Sequence, residues 1–146
     1  MQDCRVLRLT AYGRYGTTAT PTLVFALRWN GVSGTVLSQS GAIVTGSGLS
    51  NAQWKVELIV QTRTNGSSGS LYVQGEAITH EDAVATQGTA TNMGVVNPMG
   101  SAGVQTPAAV TVDLTADIPL SLTADWSAQS SSNTITGHIY LVESLN

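Results

Sequence analysis

Apolar side chains recur at every second position along most of this chain, a spacing typical of β-strands rather than helices. The clearest example is NAQWKVELIVQTRTNGSSGSLYVQGEA, at positions 51–77. Its first apolar series consists of Trp54, Val56, Leu58 and Val60. The turn-forming residues NGSSG follow, and then a second alternating run begins. This stretch therefore predicts a β-hairpin with one buried face.

The register of this hairpin follows from keeping both apolar series on the same face. Val60 opposite Val73 and Thr62 opposite Leu71 satisfy that requirement and leave a four-residue loop at 65–68. A slip of one residue would turn one strand inside out, because side chains alternate between the two faces. Asn and Gly at the start of the loop suit the backbone that such a turn requires.

Similar spacing recurs in RVLRLTAYGRY, TLVFALRW, TVLSQSGAIVT, AAVTVDLT, PLSLTADW and TITGHIYLVESL, separated by Gly, Pro, Asn and Ser. About eight short strands with such punctuation predict an antiparallel β-sandwich of jelly-roll type, all-β, in one domain spanning 1–146. A chain of 146 residues can bury a sizeable core. The predicted core comprises Leu9, Leu23, Phe25, Leu27, Trp54, Val56, Leu58, Val60, Val73, Val112, Leu122, Ile139 and Leu141.

The segment at 79–107 does not fit a minimal sandwich and is predicted to be a long loop. Long loops within compact domains are usually functional or mobile. After Asp82 the segment carries no charge, yet it contains several apolar residues. These residues either fold over their own domain or contact a neighbouring copy. The candidate partner contacts are Met93, Val95, Val96, Met99 and Val104, with Tyr12, Tyr72 and Tyr140 from the second faces of strands.

Charge is scarce and unevenly placed. Charged residues make up 10% of the chain, and all six basic residues lie between Arg5 and Arg63, whereas only acids follow. A chain with net charge −3 and no basic residue in its second half is a poor candidate for nucleic-acid binding. The two halves could attract one another between copies, which favours a homotrimer. No apolar run is long enough for a signal peptide or a membrane span, so we expect a soluble protein.

No group of residues has the spacing of a catalytic or metal site. His80, Glu81 and Asp82 are adjacent, and neighbouring strand residues point to opposite faces. His138 stands alone, no serine lies in a G-x-S-x-G motif, and the single Cys4 cannot form an internal disulfide. We therefore expect no catalysis, no cofactor and no bound metal.

The three tryptophans could form a platform on which sugars stack. Trp29, Trp54 and Trp126 are, however, each in phase with the apolar series of their strand. Packing in the core is therefore the stronger interpretation. Exposed aromatic rings would favour a carbohydrate-binding module instead.

Three stretches resemble small β-rich structural proteins of tailed bacteriophages and prophages. They are TTATPTLVFALRWNGVSGTVLSQSGA, GLSNAQWKVELIVQTRTNGSSGSLYVQGEA and AAVTVDLTADIPLSLTADWSAQSSSNTITGHIYLVE, with TPTL, GLSNAxW and SSNT the shared features. The resemblance covers the chain from about Thr17, apart from the segment at 79–107. It implies a jelly-roll-like trimeric domain on the capsid or tail and carries no active-site residues.

The expected function is that of a virion structural protein. A decoration or cement protein on the outside of a phage head would bind the major capsid protein as a trimer and stabilise the assembled shell by mass action. The alternative is the tip of a tail fibre that binds a receptor or a carbohydrate. The single-domain length favours the head, because fibre proteins usually need a shaft.

Overall fold

The computed structural model describes residues 5–80, 94–101 and 106–146. These ranges contain ten antiparallel β-strands and no helix, so the predicted all-β antiparallel class is confirmed. Among them no helix is present that could cross a membrane. The strands are β1 (Val6–Gly16), β2 (Thr22–Trp29), β3 (Thr35–Ser40), β4 (Ile43–Val44), β5 (Ala52–Thr64), β6 (Gly69–Thr79), β7 (Val95–Gly100), β8 (Ala109–Val112), β9 (Leu120–Trp126) and β10 (Thr134–Ser144).

All ten strands belong to one sheet that curls over itself. The main order is β10-β1-β5-β6-β7-β3-β2-β4, with β8 also beside β6 and β9 also beside β2. Curling brings the apolar face of β2 against that of β5, where the ring centroids of Phe25 and Trp54 are 5.1 Å apart. The ring centroids of Tyr15 in β1 and Trp126 in β9 are 6.2 Å apart. The concave side of the sheet, called the inner face below, therefore encloses a single hydrophobic core.

The hairpin adopts the predicted register. Val60 pairs with Val73 and Thr62 with Leu71, and the loop between β5 and β6 is 65–68. Gly66 takes the positive φ of 99° that the turn requires, and its N–H donates to Asn65 Oδ1 at 2.9 Å. Alternation on a half-buried strand was therefore sufficient to set both the face and the register.

Part of the segment predicted to be loop is a strand. β6 continues to Thr79, and β7 occupies Val95–Gly100, where it pairs with both β6 and β3. Met99, predicted to contact a partner, is instead buried in the core with 1% of its surface exposed. It faces inward because it lies opposite Gly75 on β6 and Ser40 on β3.

A β-bulge in β10 overturns two core predictions. Tyr12 pairs with Ile139 but the next residue, Gly13, pairs with Gly137, so His138 is an extra residue. A bulge reverses the alternation beyond it. Ile139 and Leu141 consequently lie on the convex side of the sheet, the outer face, and are about half exposed.

The remaining core predictions agree with the structure. Leu122 is partly buried against the core, and the others are buried. They are Leu9, Leu23, Phe25, Leu27, Trp54, Val56, Leu58, Val60, Val73 and Val112.

Candidate interaction surfaces

A row of mostly apolar side chains crosses five strands on the outer face. Cross-strand pairing aligns Ile139, Tyr12, Lys55, Ile78 and Val96, from β10 to β7. Ile139 and Val96 are exposed to 50% and 56%, and Tyr12 to 38%. Directly paired residues share one face of a sheet, so this outer-face row is a continuous surface. Leu141, half exposed, lies beside it on β10.

The only cation in the outer-face row is held by its neighbours. Lys55 Nζ lies 2.7 Å from Glu57 Oε2 and 5.8 Å from the centroid of the Tyr12 ring. Its hydrogen bond with Glu57 raises the pKa of Lys55 above its ordinary value and lowers that of Glu57. Glu76 pairs directly with Glu57, so Lys55 also offsets the repulsion between two adjacent carboxylates. The outer-face row is thus mostly apolar, and the charge of Lys55 is balanced by Glu57.

Tyr72 lies on the outer face but away from the outer-face row. It pairs with Gln61, and the Arg63 guanidinium is 5.7 Å from the centroid of its ring. A cation over an aromatic face is favourable by roughly 0.5–1 kcal/mol at exposed sites. This contact occupies one face of the ring that a sugar would use for stacking.

A groove follows β9 and β10, two edge strands of the curled sheet whose free edges no other described strand pairs with. Two cavities of about 430 and 670 Å³ lie along β10 and β9, and Tyr140 lines both of them. The core residues Phe25 and Trp54 line the first cavity, and Trp29 lines the second. We call this pair of cavities the edge groove.

Tyr140 lines the edge groove instead of lying on the outer face. The bulge at His138 places its side chain on the inner side of β10, opposite Ala11. Half of its surface remains exposed, because β9 does not close over it. Desolvation by partial burial raises the pKa of the Tyr140 hydroxyl above its ordinary value.

The predicted partner contacts are thus dispersed. Val96 and Tyr12 both belong to the outer-face row, Val95 is exposed but pairs with the buried Thr79 on the inner-face side, and Tyr140 lines the edge groove. Met93 and Val104 lie outside the described residues, as does Cys4. Ile139 and Leu141 were missed as contact residues, because a bulge leaves no clear mark in an alternating sequence.

The histidines of the described residues are not brought together. His80 lies just beyond β6, where its carbonyl accepts a hydrogen bond from Tyr15 Oη at 2.8 Å, and His138 forms the bulge of β10. Across the described ranges, no three His, Cys, Asp or Glu residues form a group that could hold a metal ion. Glu81 and Asp82, the neighbours of His80 in sequence, lie outside those ranges.

The tryptophans pack mainly inward. Trp29 and Trp54 are buried and Trp126 is partly buried against the core. Exposed rings suited to stacking on a sugar are therefore the tyrosines of the outer face rather than the indoles.

Comparison with known proteins finds no matching family model, no matching curated protein and no matching solved structure.

Proposed function

We propose that this protein is a structural subunit of a phage virion, a decoration protein that binds the outside of the head as a homotrimer. The single observation that carries the proposal is the exposed outer-face row from Ile139 to Val96. Contiguous exposed apolar surface on a soluble domain usually marks a contact with another protein. The assignment to a virion comes from the sequence resemblance. The jelly-roll topology of the curled sheet is likewise part of the proposal.

The outer-face row suits a contact between subunits in several respects. It crosses five adjacent, hydrogen-bonded strands of the sheet, so its side chains are held in fixed positions. Its exposed ends are aliphatic, at Ile139 and Val96, and its one cation is paired with Glu57. Burying the row would remove apolar area from water at about 25 cal/mol per Å² without leaving Lys55 unpaired.

The basic and acidic halves of the sequence are not kept apart in the fold. Arg8 Nη1 lies 3.9 Å from Glu143 Oε2, and Arg5 and Asp117 line the same cavity. The proposed trimer therefore rests on the sequence resemblance and on the outer-face row, and not on charge placement.

Solution mass measurements test the trimer. We expect sedimentation equilibrium to give a trimer for the natural chain and a monomer for the Ile139→Lys, Val96→Lys double variant. Val32→Lys is the matched control, because Val32 is 72% exposed in the turn between β2 and β3. A natural chain that stays monomeric at about 100 µM would contradict self-association.

Imaging of intact virions tests the location. Many copies spread over the head would support a decoration protein. A few copies at the tail tip would support the alternative, a receptor-binding tip. Absence from the particle would refute the virion assignment, whatever the solution mass.

The sugar-binding alternative rests on the exposed aromatic rings of the outer face. Tyr12 and Tyr72 each present a ring there, although each is close to a cation. Glycan-array binding that is lost on Tyr72→Ala would favour this alternative. Binding that survives this change would count against a site on the outer face.

A further inference from the structure

The free edge of β9 points its backbone hydrogen-bonding groups away from the sheet. Two bonds fix the pattern: Ser127 N–H donates to Thr22 O at 2.9 Å, and Asn30 N–H donates to Pro119 O at 3.0 Å. In an antiparallel pair, the residues bonded to the partner strand alternate with residues whose N–H and C=O point the other way. Leu122 and Ala124 therefore direct their backbone groups away from β2.

The free edge of β10 behaves in the same way. Leu145 N–H donates to Val6 O at 2.9 Å, so Glu143 and Leu141 also bond towards β1. Val142 lies between them and Tyr140 comes just before Leu141, so both direct their N–H and C=O groups away from β1. Within the described residues, β10 pairs with β1 alone and β9 with β2 alone.

Those same residues line the edge groove. Leu122 and Ala124 line it from β9, and Tyr140 and Val142 line it from β10. Between them the floor is made of core side chains, among them Phe25. The groove thus has two walls of unpaired strand backbone and an apolar floor.

From this geometry we infer that the edge groove is a binding site for an extended segment of a partner polypeptide. The segment lies between β9 and β10 as an added strand, with apolar side chains at every second position directed to the floor. Only a polypeptide backbone presents donors and acceptors at strand spacing, which is how exposed sheet edges bind peptides. β9 has seven residues, so the segment it can pair with is roughly 23 Å long.

The inferred segment is uncharged in its central part. Arg5 and Asp117 line the second cavity, but the wall residues Leu120, Leu122 and Ala124 of β9 and Tyr140 and Val142 of β10 carry no charge. A buried charge without a partner would be unfavourable there. This site uses the inner side of β10 and borders the outer-face row of the proposed trimer at Ile139, which also lines the first cavity.

A synthetic peptide provides the test. The probe is a fluorescein-labelled, capped heptapeptide of alternating Thr and Val, titrated with the full chain and followed by fluorescence anisotropy. Trp29 and Trp54 line the groove and give a second, label-free signal. The control peptide has the same sequence with N-methyl groups on alternate amides, which removes strand donors but keeps every side chain.

Variants in the two walls complete the design. We expect Ala124→Lys and Val142→Lys each to weaken binding at least about tenfold, and N-methylation to do the same. Val32→Lys should change it by less than about twofold. Thermal melting of each variant shows whether it folds, and two variants from opposite walls guard against the misfolding of one.

Three results would overturn the inference. One is the absence of binding at about 1 mM peptide, and another is equal binding of the N-methylated peptide. The third is self-association of the natural chain that is abolished by Val142→Lys but not by Val96→Lys, since a second copy would then fill the groove. None of these results depends on where the protein lies in a virion.

Discussion

β1, β10 and the indole ring of Trp54 approach one another closely at Gly13. A Cβ atom added there would lie 2.0 Å from Thr136 O and 2.6 Å from the Trp54 ring. The carbonyl belongs to the backbone of β10 and cannot move without disturbing the β1–β10 pairing. The absence of a side chain at this position therefore allows Trp54 to pack beneath the edge strand.

We predict that Gly13→Ala destabilises the fold by about 1–3 kcal/mol, as overpacking of a core does. Urea unfolding followed by tryptophan fluorescence measures the change. Gly137→Ala is the matched control, because Gly137 pairs with Gly13 and an added Cβ there would be 3.9 Å from Trp54. Equal destabilisation by both variants would contradict the explanation.

A second prediction at the residue scale concerns pH. The hydrogen bond from Lys55 lowers the pKa of Glu57 below its ordinary value of 4.5. A carboxyl whose pKa is lower in the folded state stabilises the fold above its unfolded pKa, and the benefit is lost as pH falls through the folded pKa. The pair is partly exposed, so the contribution at neutral pH is at most about 1 kcal/mol.

We therefore expect Glu57→Gln to lower the melting temperature slightly at neutral pH. The difference from the natural chain should shrink as the pH falls to about 3. It should also shrink in high salt, which screens partly exposed charges. Calorimetry at several pH values measures both effects, and a difference that grows in acid would contradict this role of Glu57.

At the scale of elements, the turn between β5 and β6 depends on one backbone conformation. Gly66 has a φ of 99°, and its carbonyl accepts hydrogen bonds from Gly69 N–H and Leu114 N–H, each at 3.0 Å. A side chain at such a φ is strained even though the space around it is open. Gly66 thus joins the hairpin to the segment that follows β8.

We predict that Gly66→Ala costs about 1–2 kcal/mol of stability, the penalty of a left-handed residue. Ser67→Ala, at the exposed neighbouring position, should change stability by less than about 0.5 kcal/mol. Chemical denaturation measures both variants. If Gly66→Ala were neutral, the turn would have to tolerate a different conformation.

Elements with regular alternation could be predicted from the sequence, and those with local irregularities could not. The apolar series that begin at Trp54 in β5 and at Leu23 in β2 predicted the correct inner faces. They did so because neither strand has a bulge within its series. In β10, one extra residue at His138 reverses the faces of Ile139, Tyr140 and Leu141. β7 was missed because Pro98 and Gly100 in VVNPMG suggest a turn rather than a strand.

The candidate surfaces were less predictable than the strands, because each combines distant parts of the chain. Val96 and Tyr12 were named as contact residues, yet their alignment through Lys55 and Ile78 depends on three cross-strand registers. The edge groove depends on which strands end the sheet. Strand order is determined by long-range pairing, and no alternation reveals it.

At the scale of the whole molecule, stability should come from the enclosed core and hardly at all from the exposed apolar residues. Leu58 is fully buried, whereas Leu141 is about half exposed. We predict that Leu58→Ala costs about 2–5 kcal/mol. Leu141→Ala should cost less than about 1 kcal/mol in the isolated subunit.

Denaturation at low protein concentration, where subunits are separate, measures this difference. A large cost for Leu141→Ala under those conditions would show that the outer-face side of β10 contributes to the fold itself. A cost that appears only at high concentration would place Leu141 in a contact between copies.

The pairing of β1 with β10 also determines when, during translation, the fold can be completed. Among the described strands β1 is made before the others and its partner β10 after them, and a ribosome adding about 5–20 residues per second needs on the order of ten seconds between the two. Until then β1 lacks one of its two neighbours, although β2 can pair with β3 and β1 with β5 as soon as those strands are made. A nascent chain should therefore present an unpaired strand edge throughout its synthesis, and slower elongation should prolong its exposure to aggregation.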